Sequence, residues 1–545
     1  MDTAIAIVGI LLGLVFCLCG YAAHRLWCAC NGMLLGVSVG SLLGMQLQSP
    51  VFMVVCGALL GLGLAVVFFR FERIGSAVSL AVTGFACGLL ILRSFDSTAW
   101  PWALLAAGVG AGVSWLRPRP AALTGLALSG SLLLVMSLFG ALPFYLCGSF
   151  SSYVDCFFET VSGFTTTGAS ILPEVESLSK SILFWRSFTH WVGGMGVLVF
   201  VMAVLPMTDG HGMHLLRAEV PGPTVGKLVS RMGDSAKILY GIYLVMTIVE
   251  IILLLLGDMP LFDACINSFG SAGTGGFSCR NLSIGAYNNA YYDVVIGIFM
   301  LLFGVNFNLY YFLLVRKFRD VFRSEELRTY LIIVAVAVSA ITLDILHIYR
   351  SVGTSLRHAF FQVSSIITTT GYATVDFNAW PAFSKAILVM LMFIGACAGS
   401  TGGGIKVARL VILTKSALCD MKRMLHPNAV TTVRFEGRPL AEKNVRGVHM
   451  FLAVYLLVFC VSCLLVSLEQ VDLVTVFTAV ASCINNIGPG LEIVGPMGNF
   501  SSFSDFTKLL LSFDMLVGRL EVFPMLLLFA PSIWRQKLSI RQIRH

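Results

Sequence analysis

The sequence predicts an all-α polytopic membrane protein: four pseudo-symmetric helix–pore loop–helix repeats behind about five N-terminal transmembrane helices. Three observations lead there. Of 545 residues, 57% are hydrophobic and 12% charged, with mean hydropathy +0.88, whereas a soluble domain carries about 25% charged residues to meet water. Apolar stretches of about 20 residues recur, each enough to cross a hydrocarbon core of roughly 30 Å. From Ala121 onward a unit of about 100 residues returns four times, and such a repeat governs how local features are understood.

The N-terminal extension, 1–120, holds apolar segments at 5–23, 29–47, 51–69, 75–92 and 99–115. Basic residues fall in alternate connections: Arg25, then Arg70 and Arg73, then Arg117 and Arg119, with Arg93 beside Asp96 as the exception. By the positive-inside rule the N-terminus lies outside and Arg117 lies in the cytoplasm. The first segment lacks a basic leader, so no cleavable signal peptide is expected. Cys17 with Cys19, and Cys28 with Cys30, form C-x-C pairs in apolar surroundings. Without C-x₂-C spacing and further ligands they read as small apolar side chains rather than a zinc site.

The repeats occupy 121–237, 238–328, 329–446 and 447–545. Each has a long apolar segment, a short polar connection, a half-apolar segment, a Gly/Thr-rich loop and a second long apolar segment. The loops read Phe164-Thr165-Thr166-Thr167-Gly168-Ala169-Ser170, Ala272-Gly273-Thr274-Gly275-Gly276-Phe277-Ser278, Ile367-Thr368-Thr369-Thr370-Gly371-Tyr372-Ala373-Thr374 and Asn485-Asn486-Ile487-Gly488-Pro489-Gly490. Gly168, Gly275, Gly371 and Gly488 are taken as equivalent. Basic clusters follow every repeat: Arg217, Lys227, Arg231 and Lys237; Arg316, Lys317, Arg319, Arg323 and Arg328; Lys415 to Arg446; and Arg535, Lys537, Arg541 and Arg544. All belong on the cytoplasmic side, with the C-terminus, and the loops are then reached from the opposite face. About thirteen spans follow, five plus four pairs. The net charge of +8 is spread over these clusters, so the partner it implies is the lipid bilayer and not nucleic acid.

Non-helical backbone at membrane depth is tolerated only where protein buries it or where it lines a watery cavity. Four such loops around one axis can offer carbonyl oxygens in place of the water lost by an entering cation. Glycine lets successive carbonyls point the same way, because it adopts positive φ without a steric cost. The half-apolar segments read as short pore helices, with Asp155, Asp263 and Asp472 favouring the N-termini of the first, second and fourth. The third has Arg357 and His358 there instead. A single loop of this kind would pass for an ordinary tight turn; four in register do not. The candidate ion-binding residues are Thr166, Thr167, Gly168, Gly273, Thr274, Gly275, Thr369, Thr370, Gly371, Asn486, Ile487 and Gly488.

At these loops the chain resembles the Trk/Ktr/HKT superfamily of cation transporters, and its TrkH/TrkG branch in particular. The resemblance covers roughly residues 121–535. It is carried by Phe157-Phe158-Glu159 through Thr167-Gly168-Ala169, Trp191-Val192-Gly193-Gly194-Met195-Gly196, Gly275-Gly276-Phe277-Ser278, Gly399 through Lys406 and Gly518-Arg519-Leu520-Glu521. It implies a potassium-channel-like fold and K+ as the transported ion, with no cofactor in this chain. It also implies a homodimer and a cytosolic nucleotide-binding regulatory subunit of the TrkA type, in the bacterial inner membrane. Glycine at the filter position of every loop goes with potassium preference in that superfamily, and serine in the first loop with sodium. Two features depart from the branch: the N-terminal region is longer than a two-helix extension, and the fourth loop lacks threonine. A sodium-permeable transporter of the same fold is the alternative.

Residues 383–413 are too long for one span and are glycine-dense at their centre, which breaks a helix. A Walker A loop needs Gly-Lys-Ser/Thr, but Ile405 separates Gly404 from Lys406, so nucleotide binding is not expected. The resemblance implies instead a gate below the filter, made of Gly399, Ser400, Thr401, Gly402, Gly403, Gly404 and Lys406, with Arg519 projecting into the pore beneath the filter to repel or meter cations; a kinked, closely packed helix is the plainer alternative to the gate. Arg519, an intramembrane charge, is a functional candidate by default, the plainer alternative being a salt bridge to Glu521 or to another helix. Glu250 reads as structural and His190 as interfacial. The spans hold no cluster of carboxylates, histidines or cysteines suited to catalysis, so an enzyme is not expected.

Overall fold

Three long apolar helices set the scale of the molecule: Ile238–Leu256, Glu325–Tyr349 and Glu442–Glu469 are each long and apolar enough to cross a membrane. Their outward faces are apolar and open, with Leu343 and Leu464 exposed by 74% and 71%, as a lipid-facing surface requires. The computed structural model describes residues 133–150, 152–204, 232–428 and 431–528. The five N-terminal segments and their cysteine pairs lie outside the described residues. So do Arg217, Lys227 and Arg231 and the basic residues from Arg535 onward.

The helices fall into four successive groups. The first has α1 (Leu133–Leu146), α2 (Tyr153–Phe164) and α3 (Lys180–Val204). The second has α4 (Met232–Leu256), α5 (Leu261–Gly273), α6 (Ala290–Phe303) and α7 (Phe307–Leu314). A short helix, α8 (Phe318–Arg323), leads to the third group: α9 (Glu325–Tyr349), α10 (Val352–Ile367), α11 (Ala382–Phe393) and α12 (Val407–Leu425). The fourth has α13 (Glu442–Val466), α14 (Leu473–Asn485), α15 (Asp505–Arg519) and α16 (Phe523–Leu528). The all-α expectation needs one correction. Arg434–Phe435 and Arg438–Pro439 pair as a minimal antiparallel hairpin. Next to it, the Glu436 carboxylate accepts from the amides of Glu325 and Glu326 and so caps α9, where negative charge meets the positive helix end.

The short helices α2, α5, α10 and α14 begin as their sequences suggest, with one difference. Ser152 and Asp472 cap α2 and α14 through their side chains, and α5 carries Asp263 in its first turn. The third is capped by Ser351, which accepts from the Thr354 amide. Arg357 sits beyond its first turn and pairs with Asp293 of α6 at 3.2 Å.

Packing of these elements runs in a closed cycle. The helix after each loop rests on the short helix of the next group: α3 on α5, α6 on α10, α11 on α14, and α15 back on α2. Polar contacts fasten the seams. Arg186 of α3 reaches the Ser278 carbonyl, Asp293 meets Arg357, Asn378 exchanges hydrogen bonds with Glu492, and Lys508 of α15 meets Asp155 of α2 at 2.7 Å. Apolar packing fills the space between. Phe158, Val161, Val480, Leu511 and Met515 form one core joining the first and last groups.

Two helices expected as single spans are interrupted, and the break expected within 383–413 is present. α6 and α7 are bent by 92° at residues 304–306 and count as one span only as a bent pair. Residues 394–406 separate α11 from α12, and Glu521 and Val522, both at positive φ, end α15. Among the described residues, three helices are straight, long and apolar enough to cross a membrane, and the bent pair makes a fourth if taken as one span.

Candidate functional site: four loops and the segment beneath them

Each short helix ends in the same backbone turn. Thr166, Thr274, Thr369 and Asn486 take left-handed φ of 53°, 56°, 58° and 57°. The next amide reaches back five residues: Thr167 to Ser162, Gly275 to Gly270, Thr370 to Ser365 and Ile487 to Ser482, all at 2.8–2.9 Å. These bonds satisfy carbonyls that a helix end leaves open. A left-handed threonine stores strain of about 1–3 kcal/mol, which persists only where surroundings impose it. Two residues after the left-handed position the chain turns positive again, at Gly168 (80°), Gly276 (75°), Gly371 (83°) and Gly488 (103°).

That pattern corrects one register. In the second loop the residue equivalent to Gly168 is Gly276, and Gly275 matches Thr167. Adjacent glycines hid this in the sequence, since composition does not say which of two takes positive φ.

The loops meet in a ring. A Cβ on Gly168 would collide with the Gly275 carbonyl, one on Gly276 with that of Thr370, and one on Gly371 with that of Ile487; one on Gly488 would fall 2.9 Å from that of Thr167. Thr166, Thr167, Thr274, Thr369, Thr370, Asn486 and Ile487 are fully buried. Thr167 and Thr370 turn their hydroxyls onto Thr165 and Thr368 at 2.8 Å, while the Thr274 hydroxyl bonds the carbonyl of Gly273 at 2.6 Å. The Thr166 hydroxyl and Asn486 Oδ1 make no hydrogen bond among the described residues.

The segment from Gly399 to Lys406 lies directly under this ring. The Gly403 amide donates to Thr369 Oγ1 at 2.7 Å, and a Cβ on Gly403 would strike the Asn485 carbonyl. Three side chains hold the segment. Lys406 donates to the carbonyls of Gly402 and Gly403. Arg519 donates to Thr401 O at 2.7 Å and Gly193 O at 3.1 Å. Glu326, which the sequence did not single out, accepts from the amides of Ala398 and Ala408. The Gly399 carbonyl accepts from Phe307 at 3.1 Å, the Ser400 hydroxyl donates to Cys397 O at 2.6 Å, and Gly404 turns at φ 67°. Glu521 pairs with Arg409 rather than Arg519. Arg519 is therefore a link between the loop carbonyl of Thr401 and the α3 carbonyl of Gly193, not half of an ion pair with Glu521.

One further expectation changes. His190 is not interfacial: it is fully buried, stacked on Phe277 at 4.0 Å, and accepts from the Phe277 amide. Its neighbour Trp191 packs against Tyr243 and Phe269, so the interfacial enrichment of tryptophan is no guide to this pair. Glu250 is fully buried in α4.

Helices long and apolar enough to cross a membrane, carrying four loops that touch one another, make this a helical membrane protein. Comparison with known proteins gives the family. The family model for TrkH, cation transport protein, matches residues 131–536, and the chain belongs to that family. It is 40% identical over 407 residues to the Trk system potassium uptake protein TrkH of Salmonella typhimurium, spanning 74% of this chain and 84% of the relative. It is 34% identical over 434 residues to the Trk system potassium uptake protein TrkG of Escherichia coli, spanning 78% and 89%. The crystal structure of the potassium transporter TrkH from Vibrio parahaemolyticus superposes with a TM-score of 0.70 at 31% identity, covering 84% of this chain and 98% of that one. The family is one of transport proteins, not enzymes.

Proposed function

We propose that this chain takes up potassium ions through the opening framed by its four loops. The observation that carries the reading is the recurrence of one backbone conformation, left-handed then positive glycine, in four loops that touch in cyclic order. Such a ring presents main-chain oxygens from all sides, which is how a protein replaces the hydration shell of an alkali cation. The helices behind it end at the ring and direct their negative ends toward it, which favours a cation. In this reading residues 121–237, 238–328, 329–446 and 447–545 are four pseudo-symmetric repeats behind an extension at 1–120. Thr166, Thr167, Gly168, Thr274, Gly275, Gly276, Thr369, Thr370, Gly371, Asn486, Ile487 and Gly488 line the ion path, with Gly273 at its helix end.

Residues 399–406 act as the gate, held shut by Lys406 and Arg519. Opening requires release of the Thr401 carbonyl from Arg519. The protein works as a homodimer in the bacterial inner membrane, with its N-terminus outside and its C-terminus cytoplasmic. A cytosolic nucleotide-binding subunit acts on the gate from the side bearing the exposed basic residues Arg316, Lys317, Lys422 and Arg423.

Purified protein in liposomes tests the function. It should carry 86Rb+ in exchange for K+, and Na+ should compete poorly. Well-folded protein without such flux, or with Na+ preferred, would overturn the reading.

A further inference from the structure

One position behind the ring recurs in the repeats but carries charge in only one of them. Nine residues before the loop glycine stand Glu159, Asn267, Gln362 and Ala479. Each of the first three reaches past the ring to the outer strand of its own loop. Glu159 accepts from the Ser170 hydroxyl at 3.0 Å and the Ile171 amide at 3.0 Å. Asn267 accepts from the Ser278 hydroxyl at 3.3 Å, and Gln362 meets the Thr374 hydroxyl at 3.5 Å. In the fourth repeat the adjacent Thr478 takes over, accepting from the Leu491 amide at 3.0 Å. Every loop is thus tied to its own helix, by a neutral group in three cases and by a carboxylate in the first.

The carboxylate has a partner that the neutral groups lack. Arg186 donates from Nε to Glu159 at 2.6 Å and from Nη1 to the Ser278 carbonyl of the second loop at 3.1 Å. Its guanidinium lies 3.6 Å from the centre of the Phe277 ring, a cation–π contact strengthened by dryness. Glu159 and Arg186 are 0% and 3% exposed. The Phe277 carbonyl, on the far side, accepts from Tyr372 of the third loop at 3.3 Å. One buried ion pair therefore connects the outer strands of the first and second loops, and through Phe277 the third.

A buried ion pair is weak evidence for stability, because desolvating two charges offsets much of their attraction; its attested use is to fix geometry. Here the geometry is that of the strands whose carbonyls surround the path. We propose that Glu159 and Arg186 are positioning residues that clamp the outer ends of the first and second loops and so set the preference for K+ over Na+. The proposal rests on the four-loop reading above. The planar guanidinium matters, since an ammonium cannot hold a carboxylate, a carbonyl and a ring face together.

The test compares wild type with Glu159→Gln, Arg186→Lys and Ser170→Ala in liposomes. 86Rb+ flux is measured against competing K+ or Na+, at matched amounts of monodisperse protein. Glu159→Gln installs the residue found at this station in the third repeat. It is expected to lower the K+:Na+ preference about tenfold, the scale seen when a supporting partner of an ion ligand is lost. Arg186→Lys should lower it by a similar factor while flux persists. Ser170→Ala keeps both charges and loses one tie, so its shift is smaller and in the same direction. It carries the test should the charge variants not reach the membrane. A merely structural pair would reduce the yield of folded protein and leave the ratio alone. Wild-type ratios in every variant that folds would overturn the clamp while leaving potassium transport intact. A wild-type protein that carries no K+ would instead overturn the underlying reading, and the clamp with it.

Discussion

In the first and third loops a pair of threonines backs the ring: Thr165 bonds Thr167, and Thr368 bonds Thr370, at 2.8 Å in each case. The fourth loop has Asn485 and Ile487 at those two stations, yet its backbone follows the same path. Its support comes from elsewhere. Asn486 Nδ2 donates to Thr167 Oγ1 and to the Met515 carbonyl, both at 2.9 Å, and the Ser482 hydroxyl donates to the Gly488 carbonyl at 2.5 Å. Main-chain conformation is thus what the four loops share, and side chains behind it are interchangeable if they satisfy the same polar groups. Asparagine also suits the left-handed position better than threonine, so the loop without threonine is the least strained of the four.

The sharpest way to break this comparison is at the ring glycines. Gly168→Ala and Gly371→Ala put a methyl group into a neighbouring carbonyl at positive φ. Each is expected to lower K+ over Na+ preference about a hundredfold, if flux survives at all. Gly488→Ala, whose new Cβ has 2.9 Å to its nearest oxygen, should lose less in the same liposome assay. Equal losses at all three would deny that the fourth quadrant is looser.

A second test exchanges the support itself. Asn486→Thr removes the tie to Thr167 and Met515 and puts a β-branched residue at left-handed φ. Thermal unfolding in detergent should report a destabilisation of about 1–3 kcal/mol. Thr369→Val asks a different question of an equivalent position. It removes the acceptor for the Gly403 amide, so the glycine segment is freed and basal 86Rb+ flux should rise about threefold or more, one hydrogen bond being worth about 1 kcal/mol. Thr166→Val, at the matching station without a gate contact, should change ion preference instead.

The smallest effect belongs to the fourth helix cap. Asp472→Ala should cost about 1 kcal/mol of stability. Hydrogen bonds from the Thr475 hydroxyl and amide hold the Asp472 carboxyl below the usual aspartate range. Its contribution is therefore complete above that range and fades as pH falls through the lowered value. The wild-type-minus-variant difference in melting temperature should shrink on acidification accordingly.

Much of this was legible in the residues because repetition amplifies weak signals. Four loops with a recurring glycine, three of them with threonine beside it, announced themselves, as did the glycine-rich stretch at 399–404 and Arg519 in an apolar segment. What stayed hidden has physical causes. Gly275 and Gly276 are chemically identical, so only φ separates them. The bend at residues 304–306 is set by Asn306, whose side chain caps α7, and no proline marks it. Glu159 and Arg186 find each other only once α2 and α3 fold together. In sequence Glu159 belongs to the Phe157-Phe158-Glu159 signature, and nothing marks Arg186 as its partner. Glu326 looks like one more first-turn acid of α9, yet its carboxylate is the acceptor for two amides flanking the glycine segment.

Heavy-ion crystallography probes the pathway itself. Protein crystallised in RbCl and measured at the rubidium absorption edge should show anomalous density on the axis between Thr167, Gly275, Thr370 and Ile487, fading when Na+ replaces Rb+. A map with the loops ordered and no density on that axis, or with rubidium bound only elsewhere, would contradict a four-loop ion path.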